Sequence, residues 1–236
     1  EKYNSFDQLH LLRPALPETK VDPTILGSEM FGKNVSAPFF INAMTGGSAA
    51  SKQINQALGQ VAQQQNIALA LGSASILAKE TDQLDSFMVA RAEDPDGVLI
   101  VNVNPETPIS AIKQIIQELN ADALQIHLNT IQEIAMPEGD RDFRWLDSIK
   151  AIRTAIDLPI IIKEVGFGLD QTSIHLLKVN GIEYFDVAGS GGTNFAQIEN
   201  ARNASDVSYL EDLGLPTVVT ALMAWQEQVK FYVSGG

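Results

Sequence analysis

Short apolar runs alternate with longer segments of helical period along nearly the whole chain, and this alternation limits the fold more than any other feature. The runs are PFFINAM (38–44), ALALGS (68–73), VLIVNV (98–103), ALQIHLN (123–129), PIIIKEV (159–165), YFDVAGS (184–190) and KFYVSGG (230–236). Each is nearly continuous in apolar residues, the pattern of strands covered on both faces in a parallel sheet. Between them lie SAASKQINQALGQVAQQQ, PISAIKQIIQELN, RWLDSIKAIRTAI and QTSIHLLKVNG, with apolar positions at helical spacing, as in Ile109, Ile112, Ile115, Ile116 and Leu119. Successive runs are separated by about 25 to 35 residues, the span of one βαβ crossover. Seven such units favour an α/β fold of the (β/α)8 TIM-barrel type in a single domain over residues 1–236, with an open doubly wound sheet as the alternative.

Residues 1–37, with Pro14, Pro17 and Pro23, read as an N-terminal extension or a cover over the bottom of the barrel. The chain opens on Glu1 and stops on the turn Ser234-Gly235-Gly236, so further residues are expected on both sides, including the last βα unit. The loop Ala201-Arg202-Asn203-Ala204-Ser205 reads as another place where the chain is discontinuous.

A formal net charge of −13 argues against a nucleic-acid partner, because binding a polyanion depends on clustered Lys and Arg. No run approaches the ~18 apolar residues of a membrane span, and EKYNSFDQLH has no signal-peptide core, so a cytoplasmic protein with no membrane partner is expected. With no cysteine there is no disulfide framework, thiolate nucleophile or cysteine metal cluster. The chemistry must use oxygen and nitrogen groups, or a cofactor.

In a (β/α)8 barrel, side chains at the C-terminal strand ends converge on the face that carries the active site. Those ends hold Asn42, Met44, Thr45, Gly46 and Gly47, then Gly72 and Ser73, then Asn102 and Asn104. His127, Asn129, Gln132, Glu133, Lys163, Glu164, Asp186, Gly189, Gly191, Gly192 and Thr193 follow. Any one Asn or Ser there reads equally as a turn former or helix cap. Lys163 stands apart, because it emerges from the run Pro159-Ile160-Ile161-Ile162, and buried lysines need partners; Asp186 is the structural one to expect. His10 and His175 sit where no other polar groups converge and read as structural or surface residues. The turns MTGGS, GSGGTN and the final SGG expose backbone N–H groups suited to an anion, and together they fit a large phosphorylated ligand. None matches a P-loop or a full GxGxxG, which disfavours ATP and a Rossmann dinucleotide.

INAMTGG, HLNTIQE followed by PEGDRDF, IIIKEVGFG and DVAGSGGTNF, in this order, closely resemble the type 2 isopentenyl-diphosphate isomerases. The likeness runs from FDQLHLLRPALPE to the final SGG. It implies a (β/α)8 barrel that interconverts isopentenyl and dimethylallyl diphosphate with reduced FMN and Mg²⁺. It also implies NAD(P)H or another reductant and assembly as a homotetramer or homo-octamer. By the same resemblance FMN contacts fall on Met44, Thr45, Ser73, Asn102, Lys163, Thr193, Gly235 and Gly236, with Lys163 near the N1–C2 edge of the ring. His127 and Asn129 would contact diphosphate, Gln132 would lie beside the allylic carbons, Glu133 would hold Mg²⁺, and Glu199 would be a further acid near the substrate. Gln132 is not a credible base in water, which moves acid–base work onto the flavin. The family's N-terminal basic segment, its Arg after SGG and its final βα unit have no counterpart in the sequence. Two other functions share some of these features. An FMN-dependent 2-hydroxy-acid oxidase would share the barrel and the lysine but not call for Gln132 and Glu133. A non-catalytic phosphate- or flavin-binding regulator would need only the glycine turns.

Overall fold

The structure, a computed structural model, describes residues 4–202 and 206–236. The reading of a discontinuity at 201–205 falls partly on residues outside this range. Ser28–Met30 (β1) and Lys33–Val35 (β2) form an antiparallel hairpin in which Ser28 faces Val35. Its turn places Phe31 at φ 50° and Gly32 at φ 82°, the pair of positive angles that a tight two-residue hairpin turn requires. Next come Phe40–Ile41 (β3), Ala49–Gln65 (α1), Ala68–Ser73 (β4), Asp85–Glu93 (α2), Leu99–Val103 (β5), Ile109–Leu119 (α3) and Ala123–His127 (β6). The chain continues through Thr130–Ala135 (α4), Leu146–Ala155 (α5), Ile160–Lys163 (β7), Gln171–Val179 (α6), Tyr184–Asp186 (β8), Phe195–Arg202 (α7), Thr217–Gln226 (α8) and Lys230–Tyr232 (β9). All seven apolar runs are therefore strands. They follow one another in chain order, β3 to β9, in one sheet, parallel in each described register.

The chain divides into two compact units. The first comprises Gln8–Asn102 and Ser110–Leu124. Its core is built on the fully buried Leu69, Leu71, Phe87, Ile100, Ile112 and Leu119, each worth about 1.5–3 kcal/mol on burial. Helix α1 starts on Ser48, whose side chain accepts the Ser51 N–H, and ends on Asn66 at φ 49°. Gly59 lets α1 press on α2, since a Cβ there would meet the Ala90 carbonyl oxygen at 2.8 Å. The β1–β2 hairpin is pinned at the N-terminal ends of the strands: Lys33 Nζ donates to the Gly97 carbonyl and pairs with Asp122 at 2.7 Å, and the Ser36 N–H donates to the Asn66 carbonyl.

The second unit comprises Glu1–Asp7, Val103–Ile109 and Gln125–Gly236. Ile126, Ile152, Ile161, Ile162 and Phe185 are fully buried in it. The register pairs Lys163 with Asp186 and Asp186 with Tyr232, so successive strand ends stand level. One sequence expectation changes here. The stretch QIHLNTIQE reads as a strand delivering its final residues, yet β6 stops at His127, and Gln132 and Glu133 lie on α4. With only six residues, this helix is too short to show a helical period in the sequence.

Candidate active site

In the first unit the C-terminal ends of β3 and β4 are locked by backbone contact. The Gly72 N–H donates to the Thr45 carbonyl at 3.0 Å, and a Cβ on Gly72 would lie 2.2 Å from that carbonyl's carbon and oxygen. A glycine is therefore required for the loop after β3 to come this close. Thr45 Oγ1 donates to Asn55 Oδ1, and the buried Asn55 donates from Nδ2 to the Ser86 carbonyl at 2.8 Å. This anchors the MTGGS turn to α1 and α2. Ser73 Oγ donates to Ser75 Oγ at 3.1 Å, Asn102 is buried with its carbonyl accepting the Ala74 N–H, and Met44 is exposed.

The second unit holds the other positions. Lys163 is buried at the end of β7, with Nζ donating to the Glu164 carbonyl at 2.6 Å. Burial pushes its ammonium pKa down, against the opposing pull of Asp186 and Glu164. The carboxylate expected beside it is thus present, and Asp186 also accepts from Ser234 Oγ at 2.5 Å. One Glu164 oxygen accepts the N–H groups of Val165, Gly166, Phe167 and Gly168, which fixes the turn after β7. Burial pushes the Glu164 carboxyl up, and these four donors oppose it.

The turns after β8 and β9 are pressed together. A Cβ on Gly235 would meet the Gly189 carbonyl oxygen at 2.2 Å, and one on Gly236 would meet Gly191 at 2.1 Å. Thr217 packs against Gly189 and Gly235, and its hydroxyl donates to the Ser190 carbonyl. Thr193 packs against the turn after β7, its carbonyl oxygen 2.4 Å from where a Cβ on Gly166 would be.

His127 ends β6, Asn129 lies on the β6–α4 connection, and Gln132 and Glu133 follow on α4. Burial and the Lys163 charge lower the imidazole pKa to about 4, and its ring N–H donates to the Val103 carbonyl. At neutral pH it is therefore an uncharged ring. Asn129 precedes α4 without a side-chain capping bond and instead donates from Nδ2 to Glu133 Oε1 at 2.9 Å, while the Asp140 N–H donates to Oε2 at 2.8 Å. The Asp140 contact depends on Arg141, whose guanidinium donates to the carbonyls of Glu133, Ile134, Met136, Gly139 and Asp140 and folds the loop back on α4. Gln132 Nε2 donates to Glu199 Oε1 at 3.2 Å across α4 and α7. Glu199 is fully buried and bound by Arg202 Nη1 at 3.0 Å to each oxygen.

The sequence names Glu199 as a candidate but not its partner Arg202, three residues later on the same helix. Nor does it name Asn55, Asp140 and Arg141, which hold Thr45 and Glu133. A charged residue spaced i, i+3 from a buried acid was the available signal for Arg202. His10 is exposed, and His175 pairs at the surface with Glu227, as their lack of polar company suggested.

Parallel strands in chain order, joined by helices, place the chain in the α/β-barrel class of folds. Two solved structures share the fold: a mandelate oxidase variant with benzaldehyde (TM-score 0.54, 11% identity, 93% of this chain and 64% of that one) and mandelate oxidase itself (0.53, 11%, 89% and 62%). No family model matches. The isopentenyl-diphosphate delta-isomerases of Staphylococcus aureus strains MSSA476 and MW2 are each 39% identical over 238 aligned residues, covering 99% of this chain and 68% of theirs. The chain belongs to the isopentenyl-diphosphate delta-isomerases, of the type 2 family that its motifs resemble, and it is an isomerase.

Proposed function

We propose that this isomerase interconverts isopentenyl diphosphate and dimethylallyl diphosphate with reduced FMN and Mg²⁺. One observation carries the reading: 39% identity persists across 99% of the chain to enzymes of that name. The reaction adds a proton at the terminal methylene carbon and removes one from the carbon two bonds away, so atoms balance and there is no net redox change.

In this reading Asn129 and His127 meet the diphosphate. A dianion arriving beside the neutral imidazole would draw a proton onto it, converting an acceptor nitrogen into a donor. Glu133 suits a hard cation that needs one protein carboxylate, substrate oxygens and waters. Each of its oxygens accepts one hydrogen bond, which leaves lone pairs for a metal, and among the described residues no group of three or more acidic or histidine side chains offers a fuller cage. Gln132 lies beside the reacting carbons, with Glu199 behind it as a further acid near the substrate.

The GSGGTN and SGG turns are suited to a flavin phosphate through their backbone N–H groups, since the glycines let the two turns lie against each other. Lys163 fits the electron-rich edge of the ring, and Met44, Thr45, Ser73, Asn102 and Thr193 complete the proposed contacts. Bound and reduced, the flavin would supply the proton donor and acceptor that these side chains lack. NAD(P)H is the proposed reductant and the cytoplasm the proposed setting, in keeping with the absence, among the described residues, of any helix long and apolar enough to cross a membrane. Exposed Val179, Leu222 and Trp225 on α6 and α8 fit a homotetramer or homo-octamer.

The test is anaerobic incubation of the full-length protein with FMN, dithionite, Mg²⁺ and isopentenyl diphosphate, followed by NMR. Formation of the dimethylallyl product supports the reading. Bound reduced flavin without product rejects it.

A further inference from the structure

Glu199 has no exposed surface, and both of its oxygens are taken by the Arg202 guanidinium at 3.0 Å. A buried carboxylate persists in a fold only when a charge or a set of donors offsets its lost hydration. Arg202 provides that charge from the solvent side, since its own side chain is 57% exposed. Oε1 of the same carboxylate accepts the Gln132 amide at 3.2 Å. A carboxylate held by a guanidinium is an acceptor only, so the end of the amide turned toward it must be the NH₂ group. Chemistry therefore settles which way Gln132 faces, and its carbonyl oxygen is directed away from Glu199.

We propose that Arg202 is a positioning residue: through Glu199 it holds the Gln132 amide with nitrogen toward the protein and the carbonyl oxygen toward the reacting carbons. The proposal rests on the isomerase reading and assigns a direction to it. Protonating the substrate double bond builds positive charge on the tertiary carbon. A carbonyl oxygen facing that carbon stabilises the charge, whereas an amide N–H in the same place would oppose it. Gln132 thus acts as an oriented dipole, which explains how a side chain with no useful acidity is suited to this position. Glu199 acts through Gln132, and the chain Arg202–Glu199–Gln132 connects the surface of α7 to the substrate side of α4.

Two measurements test this, one without turnover. In flavin-free protein labelled with ¹⁵N on glutamine side chains, the Gln132 NH₂ resonances are expected to move in both Arg202→Ala and Glu199→Gln and to return toward the wild-type position in Arg202→Lys. Unmoved resonances in both variants overturn the proposal, even if the protein proves not to be an isomerase. In the holoenzyme with reduced FMN and Mg²⁺, Arg202→Ala is expected to lower kcat at least tenfold, with KM for isopentenyl diphosphate and bound flavin unchanged, and Arg202→Lys to recover most of the loss. Glu199→Gln should lower kcat similarly, and adding Arg202→Ala to it should cost little more, because both changes break one chain. Independent, multiplicative losses, or a loss that appears in KM alone, overturn it. If Arg202→Ala does not fold, Glu199→Gln with Arg202 intact carries the same test. Active wild-type enzyme with unaffected variants counts against this proposal alone, whereas inactive wild-type enzyme counts against the isomerase reading.

Discussion

Acidification should weaken this protein through one histidine, and the size of the effect follows from where His127 sits. The imidazole pKa is lowered from 6.5 to about 4, first by burial and then by the Lys163 charge. Above pH 6.5 neither the folded nor the unfolded chain protonates this ring, and it contributes nothing to the pH dependence. Below that, the unfolded chain takes up a proton that the folded chain refuses, so stability is lost as pH falls through 6.5 toward 4. Linkage puts the loss at about 2 kcal/mol at pH 5, as an upper figure because the ring keeps some solvent contact. Urea unfolding at pH 7 and pH 5 measures it. His127→Gln is expected to lose less stability than wild type over the same interval, by up to that amount. An NMR titration of the C2 proton gives the second reading, with a midpoint near 4 that rises when inorganic pyrophosphate binds. A midpoint near 6.5 in the free protein, or identical pH slopes for wild type and His127→Gln, would refute the reasoning.

Other perturbations separate the parts of the site. Gly72→Ala places a Cβ 2.2 Å from the Thr45 backbone, and thermal unfolding should show a destabilisation of about 2–3 kcal/mol. Lys163→Ala should lose flavin and activity together, while Gln132→Ala keeps flavin and loses turnover; absorbance of the purified protein and a product assay distinguish them. Arg141→Ala removes the guanidinium that shapes the loop bearing the Asp140 N–H. It should raise the Mg²⁺ concentration for half-maximal activity by about tenfold, the usual cost of losing an outer partner of a metal ligand.

Strands were the legible part of the sequence because burial on both faces leaves a nearly unbroken apolar run, as in the fully buried Leu99–Val103. The β1–β2 hairpin was not legible. Its strands have three residues each, and its turn relies on Phe31 at φ 50°, a conformation that phenylalanine rarely signals. Helix α4 escaped for the same reason of length. Of the candidate site, the strand-end residues could be named because parallel strands within each unit end on the same side. Their supports could not. Asn55, Arg141 and Arg202 act through hydrogen bonds to groups 10, 8 and 3 residues away, spacings that any surface polar residue could occupy. Only the fold decides whether such a side chain turns inward. Lys163 lay between these cases: its apolar neighbours announced a buried cation, and the parallel register that sets Asp186 beside it came from the structure.

The most direct test of the account is deuterium incorporation. Full-length protein with reduced FMN and Mg²⁺ in D₂O, held without oxygen, should convert isopentenyl diphosphate to dimethylallyl diphosphate carrying solvent deuterium in a methyl group, while the flavin spectrum remains that of the reduced form. Product without deuterium, steady oxidation of the flavin with turnover, or no product despite bound reduced flavin would contradict the account.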